Sequence, residues 1–600
     1  MRPLRLRPAI VLVIVQWLLW AVVPVVAPDA AMIGMIGGLL CGLLIVVWWL
    51  FFSRAPWLER LGAMAFMVLA LIVTRWFVHE SIAGAGMGRL LYVFSIPPLT
   101  LALVAGATIG SRLAEGGRRL AIAISVVLAC SMFTLVRTDG VSGAAGSQMH
   151  WRWTPTAEER LLARAPEPLV IPSPPPAVPR PATPDAPAGA APVPPATSTL
   201  EKPASPAVTP PPTPAPEWPG FRGPDRDGVA RGVRLETDWV RSPPVQLWHR
   251  AIGPGWSSFA VSGDLLYTQE QRGEHEIVAC YQVSTGKPVW QHRDAARFYE
   301  SNAGPGPRAT PTLGNGRVYT FGATGILNVL DAGNGRLVWS RNVAAETSIE
   351  IPMWAFASSP LLMNDLVVVA AAGTLVAYDR ASGNRRWTGP KRGFSYSSPH
   401  RATFGGVDQI LLLSPPGLIS VAPDTGAVLW EHAWDGGAIV QPGFTAEGDV
   451  LISSISMTGG QGIRRLGVTR DANNWKVEER WTSNGLKPYF NDFVVHKGHA
   501  YGFDGSILAS IDLADGKRKW KGGRYGSGQL ILLADQDVLL VLSEEGELAL
   551  VSATPDEFRE IARVPALEGK TWNHPVLIRD LLLVRNGEEM AAFRLASVNR

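Results

Sequence analysis

The apolar residues of this chain follow two different rhythms. Over the first 140 residues they gather into five nearly unbroken runs, at about 8–27, 31–52, 61–78, 90–110 and 120–136, most of them close to the ~20 residues that carry a helix across a bilayer. From residue 218 onward the runs shorten, apolar and polar positions alternate, and Gly, Asp and Asn punctuate them, the mark of strands joined by tight turns. Between the two lies 166–216, a stretch of Pro, Ala, Thr and Ser without any period. Such a composition buries no core and tends towards polyproline II. The pattern predicts a multi-domain chain: an all-α transmembrane bundle of five helices over 1–140, a short helix and a disordered Pro-rich linker over 141–217, and an all-β domain over 218–600.

The β region is built by copying one unit. GILNVLDAGNGRLVW (325–339) returns as GTLVAYDRASGNRRW (373–387), GLISVAPDTGAVLW (417–430) and GSILASIDLADGKRKW (505–520), and more loosely as VACYQVSTGKPVW (278–290). Asp331, Asp379 and Asp512 each precede a turn glycine by four residues, where a short carboxylate accepts backbone N–H groups and the Gly takes positive φ. A Trp follows each turn Gly by four, on the outer strand, where it can pack on the neighbouring copy. A further strand pair ahead of each hairpin makes the unit four-stranded. The closing tryptophans 248, 290, 339, 387, 430, 481 and 520 recur every 40 to 50 residues or so, the spacing of propeller blades. A seventh blade keeps the pattern without its Trp, and after Arg563 only three strands remain. VQLWHRAI (245–252) from the front of the domain supplies the missing fourth and closes a ring of eight blades without a free edge.

The unit A-x-D-x-x-x-G-x-x-x-W, clearest in AYDRASGNRRW (377–387), resembles the tryptophan-docking motif of the pyrroloquinoline quinone (PQQ) repeat family of eight-bladed propellers. EWPGFRGPDRDG (217–228) and GKTWNHPVLIRDLLLVRNGEEMAAF (569–593) are similar to the bacterial PQQ-binding-like propeller proteins. That resemblance spans about two thirds of the chain. It implies the fold, whereas the superfamily holds both quinoprotein dehydrogenases and non-catalytic scaffolds. Five spans ahead of an eight-bladed propeller are also similar to membrane-bound quinoprotein glucose dehydrogenases.

Charge sets the expected orientation. Arg2, Arg5, Arg7, Arg54, Arg60, Arg112, Arg118 and Arg119 flank alternate ends of the runs, so the N-terminus is expected in the cytoplasm and the propeller, after an odd number of spans, outside it. The chain is expected in a bacterial inner membrane with its propeller in the periplasm, lifted from the bilayer by the linker. A cleaved leader would explain only one of the five runs. Arg75, His79 and Glu80 near the outer end of the third run fit interfacial anchoring or a head-group or membrane-quinone site. The net charge of +4 is small for 600 residues and gives no sign of nucleic acid. Cys41, Cys130 and Cys280 show no CxxC, CxxCH or vicinal pair, which removes a c-type haem and a disulfide framework. No GxSxG, Walker loop, HExxH or dinucleotide fingerprint occurs in context.

In a propeller, the segments leading into the innermost strands crowd one face of the channel. Here they carry Arg308, Trp354, Tyr489, Asn491, Asp492, Arg524, Tyr525, Gln529, Lys570, Trp572, Asn573 and His574. A PQQ enzyme would use Arg308, Arg524 or Lys570 for the quinone carboxylates, Trp354 or Trp572 for stacking, and Asn491 with Asp492 for Ca²⁺, hard oxygen donors for a hard cation. Asp492 is then the one carboxylate that could serve as base. The favoured reading is a binding or scaffold face for an envelope protein or small ligand, formed by Tyr489, Asn491, Asp492, Arg524, Tyr525, Gln529, Trp572, Asn573 and His574. GPDRDG (223–228) reads as a turn, since no Glu closes an EF-hand loop.

Overall fold

The computed structural model describes residues 4–27, 30–141, 147–165, 167–169, 217–456, 459–472 and 474–598. The expected extension of the Pro-rich linker therefore lies outside the described residues. Among the described residues five helices are long and apolar enough to cross a bilayer: Arg7–Val26, Met32–Phe52, Trp57–Thr74, Leu90–Arg112 and Glu115–Thr134, here spans one to five. Spans one and two approach closely because span two presents glycines. A Cβ on Gly34 would stand 2.4 Å from the Leu19 carbonyl, and one on Gly38 2.8 Å from Trp20. Gln16 ties in span four, donating to the Gly38 carbonyl at 3.0 Å and accepting from Thr100 Oγ1 at 2.8 Å. Arg118, expected as a loop charge, turns inward and grips Glu59 with two bonds of 2.6 Å, joining spans three and five.

The β domain is a ring of eight blades of antiparallel strands. In blade eight, Val576–Ile578, Leu581–Arg585 and Glu589–Arg594 are completed by Val245–Ala251, which closes the ring as expected. Blade seven gains a fifth strand that the pattern did not reveal: Val229–Ala230 pairs in parallel with Gln529–Leu533.

The repeated Trp and Gly act together. Trp248, Trp290, Trp339, Trp387, Trp481 and Trp520 each donate Nε1–H to a carbonyl of the next blade at 2.7–3.1 Å. Trp430 turns instead to Gln409 of its own blade. The rings of Trp290, Trp339 and Trp387 cover the turn glycine of the following copy: a Cβ on Gly335, Gly383 or Gly426 would fall 2.4–2.6 Å from them. Asp331, Asp379 and Asp512 accept the turn N–H groups at 2.8–3.2 Å.

The propeller does not stand away from the helices, which corrects the expected spacer role of the linker. After span five the chain forms a hairpin, Val136–Val141 with Ser147–Trp151, and then the helix Ala157–Leu162 with the expected Thr156–Glu159 capping box. These elements lie on the propeller. Glu158 accepts from Gly273 N at 2.8 Å and from both terminal nitrogens of Arg297 at 2.9 and 3.1 Å. The loop between spans three and four meets it as well, with Gly86 N donating to Asn302 Oδ1 at 2.8 Å and Ser301 Oγ to the Glu80 carbonyl at 3.1 Å. His79 belongs to this junction: it caps the short helix Glu80–Gly84 at Ser81 N, and Ser81 Oγ accepts from Thr138 N at 3.0 Å. Arg75 donates to the Ala83 carbonyl at 3.3 Å. The chain re-enters the propeller at Glu217, against Gly263 N at 2.9 Å and Arg579 at 3.8 Å. Those turns join the first and second strands of blades one and eight.

Candidate binding face and channel plug

Blade-to-blade contacts around the channel run through the lead-in segments. Ser258 N donates to Thr310 Oγ1, Thr310 N to Ser359 Oγ and Ser359 N to Ser398 Oγ, at 2.9–3.0 Å. Ser397 Oγ reaches the Val440 carbonyl, Gln441 N reaches Asp492 Oδ1, and Ser258 Oγ closes the circuit on the His574 carbonyl at 2.5 Å. Gln529 donates to the carbonyls of Phe490 and Trp572, tying blades six, seven and eight. Most of the buried hydroxyls and amides at these positions are therefore spent on the ring itself, while Gln441 Nε2 and Asn573 Oδ1 are buried without a partner among the described residues.

Inside this belt sits a plug, where the sequence predicts a plain turn. The segment 218–231 enters along Val261, reverses over 222–227, and leaves beside Leu532. At its tip Arg222 and Arg226 adopt left-handed φ of 63° and 57°. Arg222 pairs with Asp492 at 3.3 Å and donates to the Phe493 carbonyl at 2.5 Å. Arg226 crosses to the Ser359 and Pro360 carbonyls at 3.2 and 3.0 Å and to Gln441 Oε1 at 3.3 Å. Burial, helped by Arg222, pushes the Arg226 guanidinium down to about 10. Burial also holds His400 and His574 neutral, at about 4 and about 3, and raises Asp492 against the pull of Arg222. Gly228 is needed at the exit, where φ is +74° and a Cβ would stand 3.1 Å from Arg222.

The mouth above the plug is aromatic. Trp256 and Trp572 lie 4.9 Å apart, Trp572 and Phe490 4.8 Å, Phe490 and Tyr489 5.4 Å, and Trp354 pairs with Tyr396 at 5.2 Å. Lys570 is wedged over Trp256 and Trp572, 5.5 and 4.6 Å from their centroids. Its Nζ donates to the carbonyls of Asn302 and of Asp139 in the hairpin at 3.0 and 3.1 Å. Burial lowers this ammonium to about 8 against the pull of Glu300 and Glu544. The mouth thus faces the membrane domain, and one side of it is already occupied by the hairpin.

The residues singled out from the sequence divide into three groups. Tyr489, Trp572, Lys570 and Trp354 are partly exposed at the mouth. Asn491, Asp492, Gln529, Asn573 and His574 are buried in the belt or against the plug. Asn573 Nδ2 holds the carbonyls of Gly255 and Ser257, and Asn491 Oδ1 accepts from Tyr489 N. Arg524 and Tyr525 lie elsewhere, on the outer part of blades six and seven: Arg524 is exposed beside Ser506, and Tyr525 donates to Glu560 at 2.5 Å under Arg563.

Two of the groups assigned to a quinone and its calcium are already engaged within the fold. Arg308 is buried and gives its donors to the carbonyls of Gly304, Pro305 and Gly306 and to Glu300. Asp492, which would have to serve as both metal ligand and base, already faces Arg222. Among the described residues no cluster of three or more His, Cys, Asp or Glu is placed to hold a metal ion. Arg222 and Arg226 were the residues missed. The signal that could have found them is a pair of arginines between three glycines in GFRGPDRDG, ahead of a domain whose channel needs filling.

Comparison with known proteins agrees with this architecture. The PQQ_2 family, described as "Outer membrane protein assembly factor BamB", matches residues 238–395 and 274–522. The C-terminal domain, an eight-bladed propeller, resembles the PQQ-repeat propellers over these residues. More particularly, it is similar to outer membrane protein assembly factor BamB of Yersinia pestis, 22% identical over 326 residues, 52% of this chain and 70% of that protein. BamB of Burkholderia pseudomallei (strain K96243) is 25% identical over 371 residues, 56% of this chain and 88% of its own length. Of solved structures, BamB from Moraxella catarrhalis matches 60% of this chain and 99% of its own, at 14% identity and a TM-score of 0.43. A quinohemoprotein alcohol dehydrogenase from Comamonas testosteroni matches 64% and 81%, at 13% identity and a TM-score of 0.44.

Proposed function

We propose that this protein is a membrane-anchored envelope scaffold whose propeller binds a protein partner or small ligand at its aromatic mouth, on a multi-pass anchor in a bacterial inner membrane with the N-terminus in the cytoplasm and the propeller in the periplasm. The observation that carries this reading is the plugged channel. Arg222, Arg226, Asp492 and Arg308, buried charged groups in and beside the channel, are committed to one another and to backbone carbonyls. What remains free to bind is the open part of the mouth, where Tyr489, Phe490, Trp572, Trp354 and Tyr396 offer large, stiff contact surfaces of the kind that concentrate binding energy. The likeness to BamB, named for outer membrane protein assembly, supports a protein of the envelope as the partner.

A photo-crosslinking residue at Tyr489 should capture a defined envelope protein, and Trp572→Ala should abolish the adduct without unfolding the domain. A reporter active only outside the cytoplasm should work when fused after Arg600 and be silent near Arg119. No adduct from any mouth position overturns the binding reading. The second reading is a PQQ- and Ca-dependent dehydrogenase passing electrons to a membrane quinone, and one observation favours it: the mouth rests directly on the membrane domain. Under that reading PQQ with Ca²⁺ raises the melting temperature of the purified protein by mass action and supports dye-linked oxidation of an alcohol or sugar. An unchanged melt at saturating cofactor sinks it.

A further inference from the structure

Between the first turns of spans three and five, the surface of the bundle opens into a groove of about 240 Å³, formed by Gly62, Ala63, Phe66, Ile122, Ala123 and Arg119. Its width comes from Gly62, where an added Cβ would meet nothing within 4 Å. Glu59 also lines it, but that carboxylate is held in two bonds by Arg118 and is spent. The charge left at the rim is Arg119. It is 44% exposed, and its contact with Glu115, one turn away at 3.4 Å, is of the exposed kind that contributes little. Arg54 and Arg112 belong to the same end of the bundle and have no salt bridge among the described residues.

The flanks are apolar and open outward: Leu58, Leu61, Leu120 and Ile124 are all more than half exposed. The groove therefore faces hydrocarbon along its length and the Arg119 guanidinium at its end. From Leu58 to Phe66 it runs about 12 Å along the helix, far short of the ~30 Å over which two spans pack across a bilayer. It does match the upper part of one acyl chain. We propose that this groove is a binding site for an anionic phospholipid, with the acyl chain against Gly62, Ala63 and Phe66 and the headgroup phosphate at Arg119.

Native mass spectrometry of the full-length protein, released from membranes and titrated with phosphatidylglycerol or phosphatidylethanolamine of identical chains, tests both halves. The wild type should prefer the anionic lipid, and Arg119→Gln should reduce that preference about fivefold, the equivalent of the ~1 kcal/mol that one basic residue contributes at an anionic surface. At Gly62 an added Cβ has open space, so Gly62→Phe should fill the groove and reduce retention of both lipids alike. Ala123→Leu serves the same purpose should Gly62→Phe fail to fold. Added inorganic phosphate should displace nothing, since the chain carries half of the recognition. Equal affinity for the two lipids, or binding unchanged in both Arg119→Gln and the groove-filling variant, overturns the proposal. So does displacement by phosphate alone, which would leave a simple anion site.

Discussion

At the scale of single residues, the blade tryptophans and the axial histidines make opposite demands on the solvent. Trp387 is buried, donates to the Pro423 carbonyl at 2.7 Å and roofs Gly426, so Trp387→Ala should cost about 3–5 kcal/mol as a buried aromatic. Urea unfolding would measure this, and a loss below about 1 kcal/mol would contradict the spacer role. His574 titrates instead. Its folded pKa of about 3 lies below the ordinary 6.5, so between those values the unfolded chain takes up a proton that the folded chain refuses. Stability therefore falls as pH drops below about 6.5, by roughly 1.4 kcal/mol per unit. His400, at about 4, adds the same sign. Glu276, raised by burial to about 8, and Asp492, also raised, work the other way. The histidine contribution is thus read as a difference: His574→Gln should show a shallower loss of stability from pH 6.5 to 5 than the wild type. Parallel slopes would mean that His574 is protonated in the fold. The tryptophans could be read from sequence because their spacing is periodic. Arg222 and Arg226 could not, because their partners Asp492, Ser359 and Gln441 lie more than 130 residues away.

At the scale of elements, the turn glycine links each blade to its predecessor. Gly383 and Gly498 share the left-handed backbone, with φ of +72° and +76°, which costs an L-residue about 1–2 kcal/mol. They differ in what a methyl would meet: Trp339 at 2.6 Å for Gly383, and nothing within 4 Å for Gly498. Gly383→Ala should therefore lose a further ~1–3 kcal/mol through overpacking. Equal losses at the two sites, read from denaturant midpoints, would show that the Trp ring yields freely. The same contrast explains what the sequence disclosed. Strand alternation, turn carboxylates and the returning Val245–Ala251 all announce themselves locally, so eight blades were legible. The hairpin Val136–Val141 with Ser147–Trp151 did not, since its strands are short and polar and look like the start of a linker, although Arg137 and Thr138 are buried in the fold. The fifth strand of blade seven is two residues long and has no pattern to read.

At the scale of the whole molecule, the open question is the junction between the propeller and the bundle, because it decides what the mouth can reach. The junction is polar and built from backbone: Gly86 N to Asn302, Ser301 to the Glu80 carbonyl, Lys570 to the Asp139 carbonyl, and the Glu158–Arg297 pair. Contacts of this kind are individually weak, so docking rests on their number and on the short connection through 136–165. A covalent trap reports on it directly. A Cβ on Gly84 would stand 3.1 Å from Ser301 Cβ, slightly inside the ~3.8 Å typical of a disulfide, so a small relaxation admits the bond. The three native cysteines are buried and do not compete. With a protease site placed in 170–216, the double variant Gly84→Cys and Ser301→Cys should be cut into two fragments that still travel together until reductant is added. If the bond forms in cells without added oxidant, the junction also lies in an oxidising compartment, as a periplasmic propeller requires. Bonding only after oxidation of the purified protein would keep the docking but overturn the periplasmic placement. Fragments that part under both conditions would return the propeller to a free arm, and the mouth would then be open on every side.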